Sequence, residues 1–86
     1  MNNKLLVKVY SIDVDKNFDL FIPINDYVWK EIKLIVKSIS DLTMGSLSLQ
    51  NDYVLINAET GQIYNYNDIV YDTDITNMTK LFLKMI

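Results

Sequence analysis

Two short runs near the start of the chain alternate between apolar and polar side chains, over residues 5–12 and 18–22. Alternation with a period of two and enrichment in β-branched residues are typical of half-buried strands. Between the runs, residues 13–17 are rich in turn formers, so the pattern predicts a β-hairpin. Pro23 ends the second strand because it cannot donate a ladder hydrogen bond. The apolar face is expected to consist of Leu5, Val7, Val9, Phe18, Leu20 and Ile22.

The spacing changes to that of a helix over residues 26–43. Asn25 is the predicted N-cap, and Ile24 and Trp29 are spaced as a hydrophobic staple around it. Gly45 is the predicted C′ residue that ends the helix. The apolar stripe that should face the core comprises Val28, Ile32, Ile35, Val36, Ile39 and Leu42.

The second half of the chain has three further candidate strands. Residues 53–56 and 80–86 alternate clearly, and residues 62–64 could form a short strand after a turn at 59–61. The order β-β-α-β-(β)-β with one helix predicts an α+β fold, in which the helix packs across one face of a mixed four- to five-stranded sheet. A last strand placed beside the first and parallel to it would give the β-grasp arrangement.

Composition limits the chemistry available to the chain. Its 86 residues fit one domain, predicted to span 1–86. Cysteine and histidine are both absent, so thiolate chemistry and the commonest proton-transfer and metal-binding side chain are excluded. A net charge of −3 argues against nucleic acid as a partner. We see no signal peptide and no run long enough to insert into a membrane, and we expect a soluble, cytoplasmic protein.

The stretch 64–76 is the main candidate for a functional surface, because it combines three tyrosines with acids and amides and has no lysine. In a β-grasp fold it would be the irregular crossover before the final strand, with Ile69 and Ile75 in the core and tyrosine hydroxyls reaching water. We favour that structural role. The alternative is a protein-binding surface, for which the predicted residues are Tyr64, Tyr66, Asp68, Tyr71 and Asp72.

Two aspartate clusters could suggest a metal site. Residues 13–17 match the first half of an EF-hand loop, but Phe18 and Ile24 stand where that loop needs glycine and glutamate. The spacing of Asp68, Asp72 and Asp74 is common in turns. We therefore predict no metal and no cofactor. Since no two acids are placed as a distinctive acid–base pair, we also predict that the protein is not an enzyme.

Residues 72–85, "DTDITNMTKLFLKM", carry a resemblance to a known family. They resemble the end of ubiquitin-like proteins of the YukD (EsaB) family, in which an Ile-Thr-Asn turn leads into a final Leu-x-Leu strand. The positions at 75–77 and 81–83 match this ending. Met78 and Thr79 depart from it, since the family often has a glycine-containing turn there. The predicted hairpin and helix agree with the family in order and length.

The resemblance implies a function in protein binding and not in catalysis or conjugation. YukD-like proteins accompany type VII secretion systems of Gram-positive bacteria and lack the Gly-Gly tail needed for conjugation; both glycines of this chain are internal. We expect a non-conjugating, ubiquitin-like protein-interaction module, a cytosolic accessory of type VII secretion whose partners include membrane-anchored secretion components. The alternative is a β-grasp adaptor of a mobile element or phage with unrelated partners. The oligomeric state is left open.

Charge suggests where a partner would bind. Residues 52–74 hold five acids and no lysine, while the predicted helix displays Lys30, Lys33 and Lys37. The sequence thus predicts an acidic side and a basic side. We expect the tyrosine-rich acidic side to contribute more binding energy, because tyrosine is enriched at the centres of interfaces.

Overall fold

A computed structural model describes residues 3–86 of the chain. Its strands are β1 (Lys4–Ser11), β2 (Lys16–Pro23), β3 (Tyr53–Asn57) and β4 (Lys80–Met85). One α-helix, α1 (Val28–Leu42), follows β2, and a single 3₁₀ turn at Val70–Asp72 precedes β4. Among the described residues, no helix is long and apolar enough to cross a membrane.

The four strands form one mixed sheet in the order β2-β1-β4-β3. The hairpin pairs Val7 with Leu20 and Val9 with Phe18, so the predicted apolar positions share a face. Strand β4 lies parallel to β1 and antiparallel to β3, as the β-grasp arrangement requires. Residues 62–64 contribute only an isolated bridge, between Ile63 and Ile56, so the described sheet has four strands and not five.

Helix α1 packs across one face of this sheet and closes a single core. Burial of the apolar stripe follows the prediction except at Leu42, which is exposed at the end of the helix. The fully enclosed side chains come from every strand, from the helix and from the connections. The core residues include Val7, Val9, Ile22, Val28, Ile32, Ile35, Val36, Ile39, Leu47, Leu55, Val70, Ile75, Leu81 and Leu83.

The start of α1 differs from the prediction. The helix begins at Val28, two positions later than expected, with Tyr27 as N-cap and no side-chain capping bond. Asn25 is therefore not the cap, and Trp29 cannot form the predicted staple around it. The amide N–H groups of Val28 and Trp29 instead donate to the backbone carbonyls of Asp68 and Tyr66, at 2.8 and 3.2 Å. Carbonyls from a distant segment thus satisfy donors that a side chain usually caps.

The end of α1 is also one residue away from the prediction. Thr43 is the C-cap, Met44 follows it with φ 57°, and Gly45 follows with φ 87°. The Gly45 N–H donates to the Ser40 carbonyl at 2.8 Å, which is the six-to-one bond of a Schellman ending. Met44 therefore occupies the left-handed C′ position predicted for Gly45.

The crossover from β3 to β4 is held by backbone bonds to distant parts of the chain. The Val70 N–H donates to the Asp26 carbonyl at 3.0 Å, and the Met78 N–H donates to the Leu6 carbonyl at 2.7 Å. Ile75 is buried as predicted, but its expected companion Ile69 is only half-buried, and Val70 fills the core in its place. Ile69 forms an isolated bridge with Tyr27, and the adjacent Val70 is fully buried.

Candidate protein-interaction groove

Tyr64 belongs to the core. Its side chain is only 4% exposed, and its hydroxyl donates to the Asp74 carboxylate at 2.6 Å while accepting from the Asn57 side-chain amide at 3.0 Å. Burial, and then the hydrogen bond to Asp74, raises the pKa of Tyr64 to about 12. A side chain so enclosed offers a partner almost no contact area, so of the predicted interaction residues Tyr64 has a structural role.

The remaining predicted residues are exposed. Tyr66 is 39% exposed and donates its hydroxyl to the Tyr53 carbonyl at 2.6 Å. Tyr71 is 59% exposed, and Asp68 and Asp72 are exposed as well. Among these residues, only Tyr66 lines a concave surface beside α1.

This concave surface, here called the α1 groove, has a volume of about 790 Å³. Its floor consists of buried side chains from the helix and from β3, namely Ile32, Val36 and Tyr53. Its rim comes from the helix, from the 49–52 loop, from the turn after Tyr64 and from the end of β4. The rim residues are Trp29, Lys33, Lys37, Leu49, Gln50, Asn51, Asp52, Tyr66, Asn67 and Ile86.

Trp29 in the groove lining stacks with a second aromatic residue, Tyr27, which lies outside the lining. Trp29 is 38% exposed, and Tyr27 stacks on it with ring centroids 6.4 Å apart and planes inclined by 12°. The ammonium groups of Lys33 and Lys30 lie 5.4 and 5.6 Å from the centre of the Trp29 ring. Cations at this distance attract the face of the indole ring, and Trp29 remains partly exposed.

The lysines of the groove differ in how they are paired. Lys37 forms an ion pair with Asp41 at 3.5 Å, in which both side chains are well exposed, and Lys30, outside the groove, pairs with Asp26 at 3.7 Å. Lys33 has no carboxylate within ion-pairing distance anywhere in residues 3–86. Its ammonium group lies near the Trp29 ring instead. Two lysines and one aspartate line the groove, and because Asp41 pairs with Lys37, Lys33 is the lining cation without an ion-pair partner among residues 3–86.

The groove brings together residues that the sequence placed on opposite sides. Tyr66 and Asp52 belong to the predicted acidic side, whereas Lys33 and Lys37 belong to the basic side, yet all four line the groove. Sequence reasoning did not identify Trp29 and Leu49 as surface residues. Trp29 could have been found from the sequence, because a large aromatic residue outside the predicted apolar stripe is a signal of a surface position. Leu49 could not, because its loop has no hydrophobic periodicity.

The aspartates of the hairpin turn serve the fold. The Asp13 carboxylate accepts a hydrogen bond from the Met85 N–H at 2.8 Å, and Asp15 accepts one from the Tyr10 hydroxyl. No group of three or more potential metal-ligating acids occurs within residues 3–86. The turn interpretation of residues 13–17 agrees with these contacts.

One carboxyl group is enclosed without a compensating partner. Glu31, on the first turn of α1, is 1% exposed, and its Oε2 atom has no hydrogen-bond partner among the described residues. Burial, and secondarily the charge of Asp26, raises the pKa of Glu31 from 4.5 to about 7. Burial therefore shifts the balance towards the neutral acid, which persists up to about pH 7.

Comparison with known proteins gives matches of structure but not of sequence. No family model matches the chain, and no curated protein matches it at a significant level. Among solved structures, 175 chains match. The EccD5 ubiquitin-like domain from Mycobacterium xenopi matches with a TM-score of 0.77 and 12% identity, over 99% of this chain and 97% of that one.

Two further matches carry related descriptions. The ubiquitin-like domain of the Mycobacterium tuberculosis type VII secretion system protein ECCD1 matches with a TM-score of 0.71 and 13% identity, over 94% of this chain and 97% of that one. A chain of the MycP5-free ESX-5 inner membrane complex matches with a TM-score of 0.72 and 13% identity, over 99% of this chain and 21% of that one. Likeness at these identities concerns the fold, and it confirms that this chain has the ubiquitin-like β-grasp fold.

Proposed function

We propose that this protein is a non-conjugating, ubiquitin-like interaction module that serves as a cytosolic accessory of a type VII secretion system. The observation that carries the proposal is the match to the EccD5 ubiquitin-like domain over almost the full length of both chains. A second ubiquitin-like match belongs to a protein described as part of a type VII secretion system, and a third is a chain of an inner membrane complex. The resemblance of residues 72–85 to the YukD ending supports the same assignment and stays a prediction.

The mechanism would be recognition by a surface that is already formed. The α1 groove has a buried apolar floor and an exposed rim, and the backbone bonds at its base fix the positions of Tyr66 and Trp29 before a partner arrives. A preformed surface loses little conformational entropy on binding. A membrane-anchored secretion component is the partner that we propose, with Tyr66 as the contact residue retained from the predicted set.

The experiment is performed in the organism that encodes the chain. An affinity-tagged copy is expressed from its own locus, crosslinked in living cells and purified, and the captured proteins are identified by mass spectrometry. In parallel, secretion of small helical substrates is compared between the parent strain, a deletion strain and the complemented strain.

We expect capture of secretion components and reduced secretion in the deletion strain, restored on complementation. Unchanged secretion together with capture of unrelated proteins only would overturn the proposal. Capture of proteins of a mobile element or phage would favour the adaptor alternative described above.

A further inference from the structure

We propose that the α1 groove binds a peptide segment of a partner that combines apolar side chains with glutamate or aspartate. The inference rests on the proposed function in one respect, namely that the chain acts by binding other proteins. It adds the chemistry of the occupant and the surface that receives it.

The charge of the groove argues for an acidic occupant. The chain carries a net charge of −3, yet the groove displays two lysines and one aspartate. Lys33 lacks a carboxylate partner within the described part of the chain, and the partner of Lys37 is an exposed aspartate on the next helical turn. An exposed ion pair of this kind is easily exchanged for another. Both ammonium groups can therefore receive a carboxylate from a ligand without leaving a buried charge behind.

The apolar surface argues for an occupant with hydrophobic side chains. Trp29 and Tyr66, whose backbones are joined by a hydrogen bond, are both partly exposed in the groove lining, and Leu49 in the same lining is 61% exposed. Tryptophan and tyrosine are the side chains most enriched at binding hot spots. A volume of about 790 Å³ is enough to accommodate several side chains of a peptide.

The polar rim argues for a peptide and against a free small anion. The side-chain amides of Gln50, Asn51 and Asn67 line the groove and make no hydrogen bond to the rest of residues 3–86. Each amide offers both a donor and an acceptor, which matches the alternating N–H and C=O groups of a peptide backbone. A lone carboxylate would contact the lysines and make no use of these exposed amides, which bind water in the free protein.

The experiment starts from a displayed library of random peptides selected on the full chain. We expect the enriched sequences to combine apolar residues with glutamate or aspartate. The best peptide free of tryptophan is then synthesised, together with a counterpart in which lysine replaces each acid. Trp29 is the single tryptophan of the chain and reports binding by its fluorescence, while amide chemical-shift changes locate the peptide.

Charge-reversed variants distinguish binding in the groove from a general effect of the net charge of the chain. The groove variant is Lys33→Glu with Lys37→Glu, and the matched control is Lys16→Glu with Lys84→Glu, two exposed lysines outside the groove with the same total change. We expect the groove variant to lose at least about tenfold in affinity for the acidic peptide and to gain affinity for the lysine counterpart. The control should lose less than about threefold, and all variants should keep the thermal midpoint of the parent within a few degrees.

Several outcomes would overturn the inference. These are enrichment of sequences without acids, no enrichment at all, equal losses in the groove variant and the control, or shift changes confined to residues outside the groove. Concentration-dependent self-association that shifts the same groove amides would identify a second copy of the chain as the occupant instead. This test uses no secretion component. Its failure would therefore exclude the α1 groove as the binding surface without excluding the proposed function, which would then require another surface. Its success without captured secretion components would retain the groove and reject the secretion role.

Discussion

Tyr64 and Tyr66 stand two positions apart in the same aperiodic segment, and they represent two regions with different surroundings. Polar groups at Tyr64 and at Glu31 on the helix are enclosed by the core. The Tyr64 hydroxyl has a fixed hydrogen-bond partner in Asp74, whereas Oε2 of Glu31 has none among the described residues. Around Tyr66 and Lys33, polar groups line an open groove and keep much of their surface in solvent. Residue type does not distinguish the two regions; the path of the backbone does.

The change of direction between the two tyrosines has a local cause. The Asn65 side chain accepts a hydrogen bond from the Asn67 N–H at 2.9 Å, and the Asn65 carbonyl accepts one from the Asp68 N–H at 3.2 Å. This asparagine turn reverses the chain immediately after Tyr64. Substitutions in the enclosed region should therefore change stability, and substitutions in the groove should change binding.

The largest effect is expected at Tyr64. Replacing Tyr64 by alanine removes a buried ring and leaves Asn57 and Asp74 without their hydroxyl partner, so the free energy of unfolding should fall by about 3–5 kcal/mol. Tyr71→Ala is the matched control, because Tyr71 is exposed and outside the groove, and it should change stability by less than about 0.5 kcal/mol. Urea denaturation measures both; similar losses in the two variants would contradict the division into regions.

A second effect is expected from Glu31 and depends on pH. The pKa of about 7 in the folded chain lies above the ordinary 4.5, so the folded state holds a proton that the unfolded state releases. Stability from this group is complete below about pH 4.5 and is lost as the pH rises through 7. The full difference between the two pKa values corresponds to about 3 kcal/mol.

The Glu31→Gln variant tests this dependence. Glutamine keeps the shape but cannot ionise, so the variant should be more stable than the parent by up to about 3 kcal/mol at pH 9 and nearly equal to it at pH 5. Denaturation of both chains at several pH values gives the difference curve, in which titration of the other carboxylates cancels. A flat difference between pH 5 and 9 would show that Glu31 is ionised and solvated in the folded chain.

The third effect concerns binding. Tyr66→Ala should weaken binding of the selected acidic peptide by at least about 2 kcal/mol, the usual loss at an interface hot spot. Lys33→Ala should weaken it too, since both side chains line one groove, whereas Tyr71→Ala should not. Titration calorimetry measures the three affinities. An equal loss of affinity in the Tyr71 and Tyr66 variants would contradict the groove and favour the wider tyrosine surface predicted from the sequence.

The smallest effect is expected at Met78, where φ is 70°. A side chain costs energy in this left-handed conformation, which glycine adopts freely, so Met78→Gly should raise the free energy of unfolding by up to about 1 kcal/mol. The Met78 side chain is exposed, so little packing is lost. Thermal denaturation checks the sign. A lower midpoint would mean that the methionine contributes contacts outweighing its backbone conformation.

The periodic parts of the chain were predictable and the aperiodic parts were not. The hairpin and the helix follow from alternation and from the apolar stripe, because core burial imposes those periods on the sequence. The predicted start of the helix was wrong, because the carbonyls of Tyr66 and Asp68 accept the hydrogen bonds of the first turn in place of a side chain near Asn25. Nothing in a single sequence reports a backbone bond between segments so far apart.

The candidate site was predictable only in part. The tyrosine-rich stretch led to Tyr66, but it also led to Tyr64, whose burial depends on Asn57 and Asp74. Choosing Ile69 over Val70 as the core residue failed for a similar reason, since no period is visible in a segment of four residues. The groove itself joins the helix to the 49–52 loop, and that proximity exists only after folding.

The bonds from the first turn of α1 to the crossover also bear on the order of folding. The Val28 and Trp29 amides and their acceptors at Asp68 and Tyr66 are separated by 40 and 37 positions along the chain. Contacts of such long range require closure of a large loop, so we expect the N-terminal turn of the helix to form late, after β3 has docked. Once formed, the turn is held by these bonds against fraying on its own. Hydrogen exchange at these two amides should then follow the opening of the crossover, and protection there reports on the region that presents Tyr66 to a partner.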